Sequence, residues 1–166
     1  MSNRPRFGRF LSQALRSSSG TKMSERTVFT IGYEGKSIDE FVAQLKKAKV
    51  KRVVDVRHIT SSRKRDFSKT RLSELLGKSG IEYVGMRDLG TPDEIRRFYR
   101  GGGDVKEFRR RYEEYLKKVP EAIDRLESAV KEKTTAIMCY ENDIATCHRF
   151  VLAKRMEKKG FEVVNL

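Results

Sequence analysis

Side chains able to do nucleophilic, acid–base or metal-binding chemistry are concentrated near the end of this chain. Both cysteines, Cys139 and Cys147, and one of the two histidines, His148, fall between residues 136 and 149. This stretch starts as an apolar strand, turns polar and resumes as a helix. We predict Thr146 as the N-cap of that helix, because a helix start offers unpaired N–H groups and the positive end of its dipole to an anion.

Cys147 is the first candidate for a reactive group. In the first turn of a helix, beside Arg149 and a protonated His148, a thiol loses its proton more easily and becomes a nucleophile. The spacing differs from that of phosphatases and sulfur transferases, where several residues separate the cysteine from the arginine and surround the anion. An inert, partly buried cysteine is the alternative. His148 is either a proton carrier near neutral pH or a histidine satisfied by the backbone.

Zinc binding is a second use of the same atoms. Cys139, Cys147 and His148, together with His58 or Asp55 from a neighbouring strand, have the chemistry to surround an ion. The spacing argues against this interpretation, because structural zinc sites usually show ligands in pairs two to four residues apart, and the chain has no second pair. The sequence therefore assigns no metal ligand and leaves the cofactor unknown.

Two arginines are the candidates for binding an anion. Arg57 and Arg149 each follow a predicted strand, and a planar guanidinium matches two phosphate oxygens at once. For Arg57, a structural salt bridge to Asp55 or Glu141 is the alternative. These two acids are also the candidate general bases, or they hold the arginines in place. Two residues at the end of the first strand complete the predicted anion site: Tyr33 and Gly32.

The chain is strongly basic. Lys and Arg number 37 against 23 Asp and Glu, which gives a formal charge of +14 and a pI near 10.0. This balance favours polyanionic partners such as nucleic acid or nucleotides, although a solvated surface rich in ion pairs gives the same composition. The loop that follows the second strand supplies the predicted nucleic-acid contacts: Arg63, Lys64 and Arg65. No apolar run is long enough for a membrane span, so we expect no membrane partner.

Strand and helix patterns alternate along residues 27–166. Short apolar segments predict five strands, at 27–31, 52–56, 81–84, 134–139 and 161–164. Amphipathic segments between them predict helices, and those between 91 and 131 form a helical insertion before the fourth strand. We therefore predict an α/β fold with three layers, a mainly parallel five-stranded sheet and helices on both faces.

Several residues predict where helices begin and end. Ser37 and Glu40 form a capping box, and Asp104 can cap a later helix. Thr91 is a predicted N-cap, with Pro92 at the first helical position, and Gly160 is expected to end the last helix. The apolar face of one helix is predicted to be core rather than a base-stacking platform: Phe108, Tyr112, Tyr115 and Leu116.

Residues 1–22 differ in composition from the rest. They carry five basic residues and no acid, with a Ser-Ser-Ser-Gly run, and we predict a basic flexible tail followed by a single domain over 23–166. A nucleic-acid-binding arm and a targeting peptide have similar compositions, and Met23 is a plausible true start. Two cysteines are too few for a disulfide scaffold, which favours a cytoplasmic location.

Motifs distributed from Thr27 to the C-terminus support a family resemblance. They are Thr30-Ile31-Gly32-Tyr33, Asp55-Val56-Arg57, Gly80-Ile81-Glu82-Tyr83-Val84, Leu89-Gly90-Thr91-Pro92, and Cys139-Tyr140-Glu141 with Cys147-His148-Arg149. On these motifs the chain resembles the family called domain of unknown function number four hundred eighty-eight. The resemblance implies a compact α/β domain. That family has no settled activity, so it gives no residue a catalytic role.

The sequence favours an enzyme that acts on a phosphate-bearing substrate, a nucleotide or nucleic acid, at the carboxyl ends of the strands. Arg57 and Arg149 would hold the anion, Glu141 or Asp55 would handle protons, and Cys147 or His148 would react. The alternative is a nucleic-acid-binding accessory protein without catalytic activity, which would use the loop 63–69 and the 109–111 face. The sequence does not decide between them.

Overall fold

A five-stranded parallel sheet organises the chain. The computed structural model describes residues 27–166, so the predicted tail at 1–22 lies outside the described residues. The strands are β1 (Thr27–Gly32), β2 (Arg52–Asp55), β3 (Glu82–Gly85), β4 (Thr135–Cys139) and β5 (Glu162–Asn165). Their order across the sheet is β3-β2-β4-β1-β5, and every neighbouring pair is parallel. The predicted α/β class is confirmed.

Six helices connect the strands. They are α1 (Ile38–Lys47), α2 (Lys69–Lys78), α3 (Asp93–Arg100), α4 (Val105–Leu116), α5 (Pro120–Glu132) and α6 (Arg149–Lys158). The predicted helical insertion before the fourth strand consists of α3, α4 and α5. Across residues 27–166, no helix combines the length and the apolar character that crossing a membrane requires.

The helices form a layer on each face of the sheet. Because side chains alternate along a strand, Val53 contacts one helical layer and its neighbour Val54 contacts the other. The first layer contains α1 and α2, through Phe41, Leu45, Leu72 and Leu76. The second contains α4, α5 and α6, through Tyr112, Leu116, Leu126, Leu152 and Met156. The predicted core face of α4 is thereby confirmed.

The strand β4 sits at the centre of the sheet and brings three strand ends together. It pairs with β1 on one side and β2 on the other, with Cys139 opposite Gly32 and Met138 opposite Asp55. All residues of β2 and β4 are buried, whereas the edge strands β3 and β5 are partly exposed. The carboxyl ends of β1, β2 and β4 therefore form one continuous edge, where ligands bind in open α/β sheets.

Three of the predicted helix boundaries are confirmed. The Ser37 hydroxyl accepts a hydrogen bond from the N–H of Glu40, and the Glu40 carboxylate accepts one from the N–H of Ser37. The Asp104 carboxylate accepts from the first turn of α4. Gly160 follows α6 with φ near +88°, the left-handed conformation that ends helices.

Two predicted N-caps are wrong. The helix α3 begins after Pro92, so Thr91 lies one residue too early. Thr146 belongs to a short 3-10 turn, Ile144–Thr146, which the Asp143 carboxylate caps by accepting a hydrogen bond from the N–H of Ala145. Because Asp143 caps this 3-10 turn, residues 144–146 form a separate turn rather than the start of the helix. The helix α6 therefore begins after His148, and Cys147 lies just before its first turn.

Candidate functional site

Four side chains converge where β4 ends and α6 begins. Cys139 is the last residue of β4, Glu141 lies in the following loop, and Cys147 and His148 precede α6. One ligand atom from each lies within 4.8 Å of those of the others. The Cys139 thiol donates a hydrogen bond to Oε2 of Glu141 at 3.1 Å. We call these four residues the sulfur cluster.

The end of β1 fixes the position of the loop that carries Glu141. A Cβ atom on Gly32 would lie 1.9 Å from the carbonyl oxygen of Glu141, so only glycine allows this loop to cross the strand. The N–H groups of Tyr33 and Glu34 both donate to the carbonyl of Tyr140, at 3.1 and 2.9 Å. The Glu34 carboxylate accepts a hydrogen bond from the N–H of Asn142. The backbone that approaches Gly32 is thus that of the loop carrying Glu141.

His148 has one ring nitrogen fixed by the backbone. Its Nε2 lies 3.0 Å from the carbonyl oxygen of Val56, an acceptor, so Nε2 carries the hydrogen. Its Nδ1 then faces the sulfurs, 3.9 Å from Sγ of Cys139 and 3.7 Å from Sγ of Cys147. The ring is buried and packs edge-on against Tyr112. The orientation of this imidazole is therefore determined by the end of β2.

Arg149 lies against Cys147 in the interior. Its backbone N–H and its Nε–H each lie 3.4 Å from the Cys147 sulfur, to which both donate. Its Nη2 donates to the carbonyl of Glu141. Nη1 is buried and has no hydrogen-bond partner among residues 27–166. The side chain is fully buried, so its charge acts on the sulfur cluster rather than on solvent.

The pKa values of the two thiols are shifted in opposite directions. Burial alone would raise the pKa of the Cys147 thiol, but the hydrogen bond from Cys139 and the positive charges of His148 and Arg149 bring that pKa well below its usual range. The pKa of the Cys139 thiol is raised well above its usual range by its hydrogen bond to Cys147, by burial, and by the negative charges of Cys147 and Glu141. The arrangement thus favours one thiolate beside one thiol.

The acid and the imidazole of the sulfur cluster are shifted toward their protonated forms. Burial and the negative charge of Cys147 raise the pKa of Glu141. Burial alone would lower the pKa of His148, but the charge and hydrogen bond of Cys147, the charge of Glu141 and the Val56 carbonyl together raise that pKa. Both raised pKa values favour the protonated form of the group, which suits a role in acid–base chemistry.

Asp55 and Arg57 form a second polar group at the same edge. The Arg57 guanidinium binds both oxygens of Asp55, at 2.8 and 2.6 Å. Its Nη1 donates to the hydroxyl of Tyr33 and to the carbonyl of Phe67. The Tyr83 hydroxyl donates to Asp55 at 2.7 Å. Arg57 is therefore engaged in the salt bridge that the sequence offered as the alternative to anion binding.

The sequence-predicted residues thus fall into two adjacent groups. Cys147, His148, Glu141 and Arg149 belong to the sulfur cluster or contact it, whereas Asp55, Arg57 and Tyr33 belong to the second group. Val56 follows Asp55 in the chain, and its carbonyl accepts the hydrogen bond of His148. Neither His58 nor Asp55 is among the four potential ligands that converge in the described chain.

The basic loop lies beside Tyr33. The Tyr33 hydroxyl donates to Oγ of Ser62, and Nζ of Lys64 donates to the carbonyl of Lys36. Arg63, Lys64 and Arg65 are all exposed. Because Tyr33 also holds the Tyr140 loop, the basic loop and the sulfur cluster share the carboxyl edge of the sheet.

The arginines of α4 are paired within the protein. Arg109 donates to the carbonyl of Ala145, and its guanidinium lies 3.7 Å from the centre of the Phe150 ring. Arg110 and Arg111 both bind the Glu107 carboxylate. These contacts account for the arrangement of the 109–111 face without a nucleic acid.

Three residues outside the predicted catalytic and anion-binding sets also contribute, and of these Cys139 belongs only to the zinc interpretation of the sequence. Tyr83 binds Asp55, Tyr112 packs on His148, and Cys139 contacts Glu141. For Cys139, the available signal in the sequence was that the chain has two cysteines and that they lie eight residues apart. The roles of Tyr83 and Tyr112 depend on the strand order and on helix packing, which no local pattern in the sequence indicates.

Comparison with known proteins identifies one family. A family model described as "Domain of unknown function DUF488" matches residues 37–156, a range that contains the whole sulfur cluster together with Asp55 and Arg57. No curated protein matches the chain, and no solved structure matches it.

Proposed function

The chain belongs to the DUF488 family, whose description names no activity, and we propose that it is an enzyme acting on a phosphate-bearing substrate, a nucleotide or nucleic acid, at the carboxyl ends of its strands. The observation that supports this proposal most directly is that the sulfur of Cys147, a ring nitrogen of His148 and a carboxylate oxygen of Glu141 lie within 4.8 Å of one another at that edge. Substrates of open α/β proteins bind at this edge. A sulfur, an imidazole and a carboxyl in contact are groups that accept, donate or hold a proton or act as a nucleophile.

The surface around the cluster favours an anionic substrate. The exposed cations Arg63, Lys64 and Arg65 lie in the loop beside Tyr33, and the whole chain carries a formal charge of +14. Such a surface attracts phosphate groups over a distance of about 8 Å at physiological salt. Among described residues, the side chains of Arg63 and Arg65 have no ion-pair partner, so both are available to a ligand.

An exposed aromatic ring at the same edge favours a nucleoside over a simple phosphate ester. The Tyr140 side chain is 45% exposed although its two chain neighbours, Cys139 and Glu141, enter the sulfur cluster. Its ring packs edge-on against Tyr33, which limits its freedom. Exposed aromatic rings in proteins that bind nucleic acids stack on bases. Tyr140 therefore supports a nucleoside-containing substrate at this edge.

Glu141 is the group of the cluster best placed to exchange protons with a substrate. It is partly exposed, whereas both cysteines and His148 are buried. Burial and the negative charge of Cys147 raise the pKa of Glu141, which favours its protonated form as a proton donor, and general acid or base catalysis contributes about 100- to 10,000-fold to a rate. His148, held by Val56, would stabilise the charge on Cys147 while Glu141 transfers the proton.

The direct test measures product release from a panel of nucleotides and oligonucleotides with the wild-type protein and three variants. We expect Glu141→Gln and Cys147→Ser to lower kcat/KM by about 100-fold or more. Glu157→Gln changes a matched carboxyl at the far end of α6 and should leave the rate unchanged. Wild-type turnover that survives Glu141→Gln and Cys147→Ser would refute the assignment of this site.

The alternative function is nucleic-acid binding without catalysis, and the exposed basic loop is the observation that favours it. In that case the wild-type protein turns over no member of the panel, and Cys147→Ser binds oligonucleotides as the wild type does. For either function we propose a cytoplasmic location, because two free cysteines in close proximity suit a reducing compartment. Cell fractionation with an antibody to the protein tests the location.

A further inference from the structure

We propose that Cys139, Cys147, His148 and Glu141 bind a zinc ion. This inference goes beyond the proposed function, since the ion would bind whatever the substrate is. It rests on the positions of the four ligand atoms, on the two groups that orient them, and on the balance of charge in the site.

The separations between ligand atoms fit a tetrahedral ion. Zinc–sulfur bonds of about 2.3 Å and zinc–nitrogen or zinc–oxygen bonds of about 2.0 Å give edges of about 3.3–3.8 Å between ligands. His148 Nδ1 lies 3.7 Å from Sγ of Cys147 and 3.9 Å from Sγ of Cys139. The Glu141 oxygen lies 3.1 Å from Sγ of Cys139. All remaining separations are within 4.8 Å, so small side-chain rotations complete the tetrahedron.

His148 has the orientation of a metal ligand. Metal-binding histidines commonly donate their second ring N–H to a backbone carbonyl or carboxylate, which fixes the tautomer and directs the other lone pair to the metal. The Nε2–H of His148 donates to the carbonyl of Val56, which leaves the Nδ1 lone pair directed at both sulfurs. Packing in the core alone would not explain why the Nδ1 atom of His148 lies close to both sulfurs.

Arg149 supports the sulfur of Cys147 from outside the coordination sphere. Its backbone N–H and Nε–H both donate to Sγ, as second-shell donors do for metal thiolates. Zinc binding releases the proton of the Cys139 thiol to solvent, so two thiolates and a carboxylate then bring three negative charges against the two positive charges of zinc. The buried guanidinium of Arg149 supplies the remaining positive charge, so the site is electrically neutral with the ion in place.

The spacing argument against zinc does not apply to this arrangement. Ligand pairs two to four residues apart belong to sites built on short turns. Here β4 delivers Cys139, and the segment before α6 returns Cys147 and His148 to the same point. Two sulfurs and an imidazole select zinc over magnesium or calcium, which prefer oxygen ligands.

Glu141 is the ligand that could dissociate from the zinc ion. Glu141 is partly exposed and lies in a loop, whereas the other three ligands are buried. Replacement of its carboxylate by water or by a phosphoryl oxygen would convert a closed site into an open one. Zinc would then polarise the bound oxygen as a Lewis acid, with Cys147 acting as a ligand rather than as a nucleophile.

Metal analysis of the full chain tests this inference without any substrate. Protein purified under reducing conditions without chelators should contain about one zinc per chain. Metal-free protein should bind Co²⁺ with the visible absorption of tetrahedral cobalt and a near-ultraviolet sulfur-to-cobalt band. Cys139→Ser and Cys147→Ser should each weaken zinc binding by about 100-fold or more in competition with a chromophoric chelator. His58→Ala changes the other histidine and should leave the affinity unchanged.

A measurement on the wild type covers the case in which the cysteine variants fail to fold. Zinc should protect both thiols from alkylation, and a chelator should restore their reaction. Absence of zinc from the purified chain together with no cobalt–sulfur band would overturn the proposal, as would wild-type affinity in a folded Cys147→Ser protein. Because these readouts need no turnover, a failed zinc site and a failed enzymatic function are distinguished.

Discussion

The carbonyl oxygen of Glu141 occupies the space that a side chain on Gly32 would fill. An ideal Cβ at Gly32 would lie 1.9 Å from that oxygen and 2.7 Å from the Cα of Asn142. Backbone rather than a flexible side chain causes the contact, so the loop after β4 would have to move as a unit. The position of Glu141 in the sulfur cluster therefore depends on the absence of a side chain on β1.

We expect Gly32→Ala to destabilise the protein by about 3 kcal/mol, at or above the upper end for overpacking, because backbone must shift. It should also weaken zinc binding, since Glu141 is displaced. Gly77→Ala is the matched control: no atom lies within 4 Å of the added Cβ in α2, and the change should stabilise by about 0.5–1 kcal/mol. Urea unfolding measures both, and equal effects of the two substitutions would contradict the explanation.

Asp55→Asn should destabilise the protein by about 3–5 kcal/mol, because Arg57 would be left buried without its counter-charge. Asp55 is fully buried in this pair. Asp66→Asn removes a partner of Arg71 in a pair about half exposed on both sides, and it should cost less than about 1 kcal/mol. Chemical denaturation compares the two. A cost for Asp55→Asn as small as that of the exposed pair would show that Arg57 finds other compensation.

The Tyr83 hydroxyl should make stability fall at alkaline pH. Burial, followed by the negative charge of Asp55, raises the pKa of Tyr83 above the ordinary value of 10.0. The unfolded chain then loses this proton first, so the stabilisation is complete below pH 10 and is lost as pH rises toward the folded-state pKa. The difference in unfolding free energy between the wild type and Tyr83→Phe should shrink above pH 10. A difference that stays constant with pH would contradict this sign.

The sequence predicted elements whose signals are local. Ser37 and Glu40 predicted the start of α1, and apolar runs located all five strands to within one or two residues. The Thr146 cap failed because Asp143, three residues earlier, competes for the same loop. The closeness of Asp55 and Arg57 followed from strand alternation alone. The convergence of Cys139, Glu141 and His148 required the order of the strands, because Val56, directly after β2, supplies the carbonyl that holds His148 and β1 supplies Gly32.

Replacing Arg63, Lys64 and Arg65 with Ala should weaken nucleic-acid binding and reduce the dependence of log K on log salt by about 2–3 units, since each phosphate contact contributes about 0.7–0.9. A control with equal loss of charge replaces three lysines in α6 or directly after it: Lys154, Lys158 and Lys159. The control should change the salt slope by less than about one unit. Equal slopes for the two triple variants would mean that net charge, rather than the basic loop, drives binding.

Arg149→Lys should separate charge from hydrogen bonding around the sulfur of Cys147. Lysine keeps the positive charge but removes the Nε–H that donates to Sγ. The expected loss of zinc affinity is about 10- to 100-fold, the range for second-shell substitutions. Lys154→Arg, on the exposed part of the same helix, is the reverse exchange and should leave the affinity unchanged. Zinc competition titrations measure both variants.

The central position of β4 also constrains how the polypeptide assembles during synthesis. The strands β1 and β2 do not pair with each other; β4, whose residues are 135–139, lies between them and pairs with both. A nascent chain that ends before residue 135 therefore holds its first and second strands without their shared neighbour. The centre of the sheet can therefore form only once β4 is available, and the sulfur cluster needs in addition Cys147 and His148, which follow β4 in the chain. Assembly of the fold and of its reactive centre thus both depend on the part of the chain that is synthesised after residue 134.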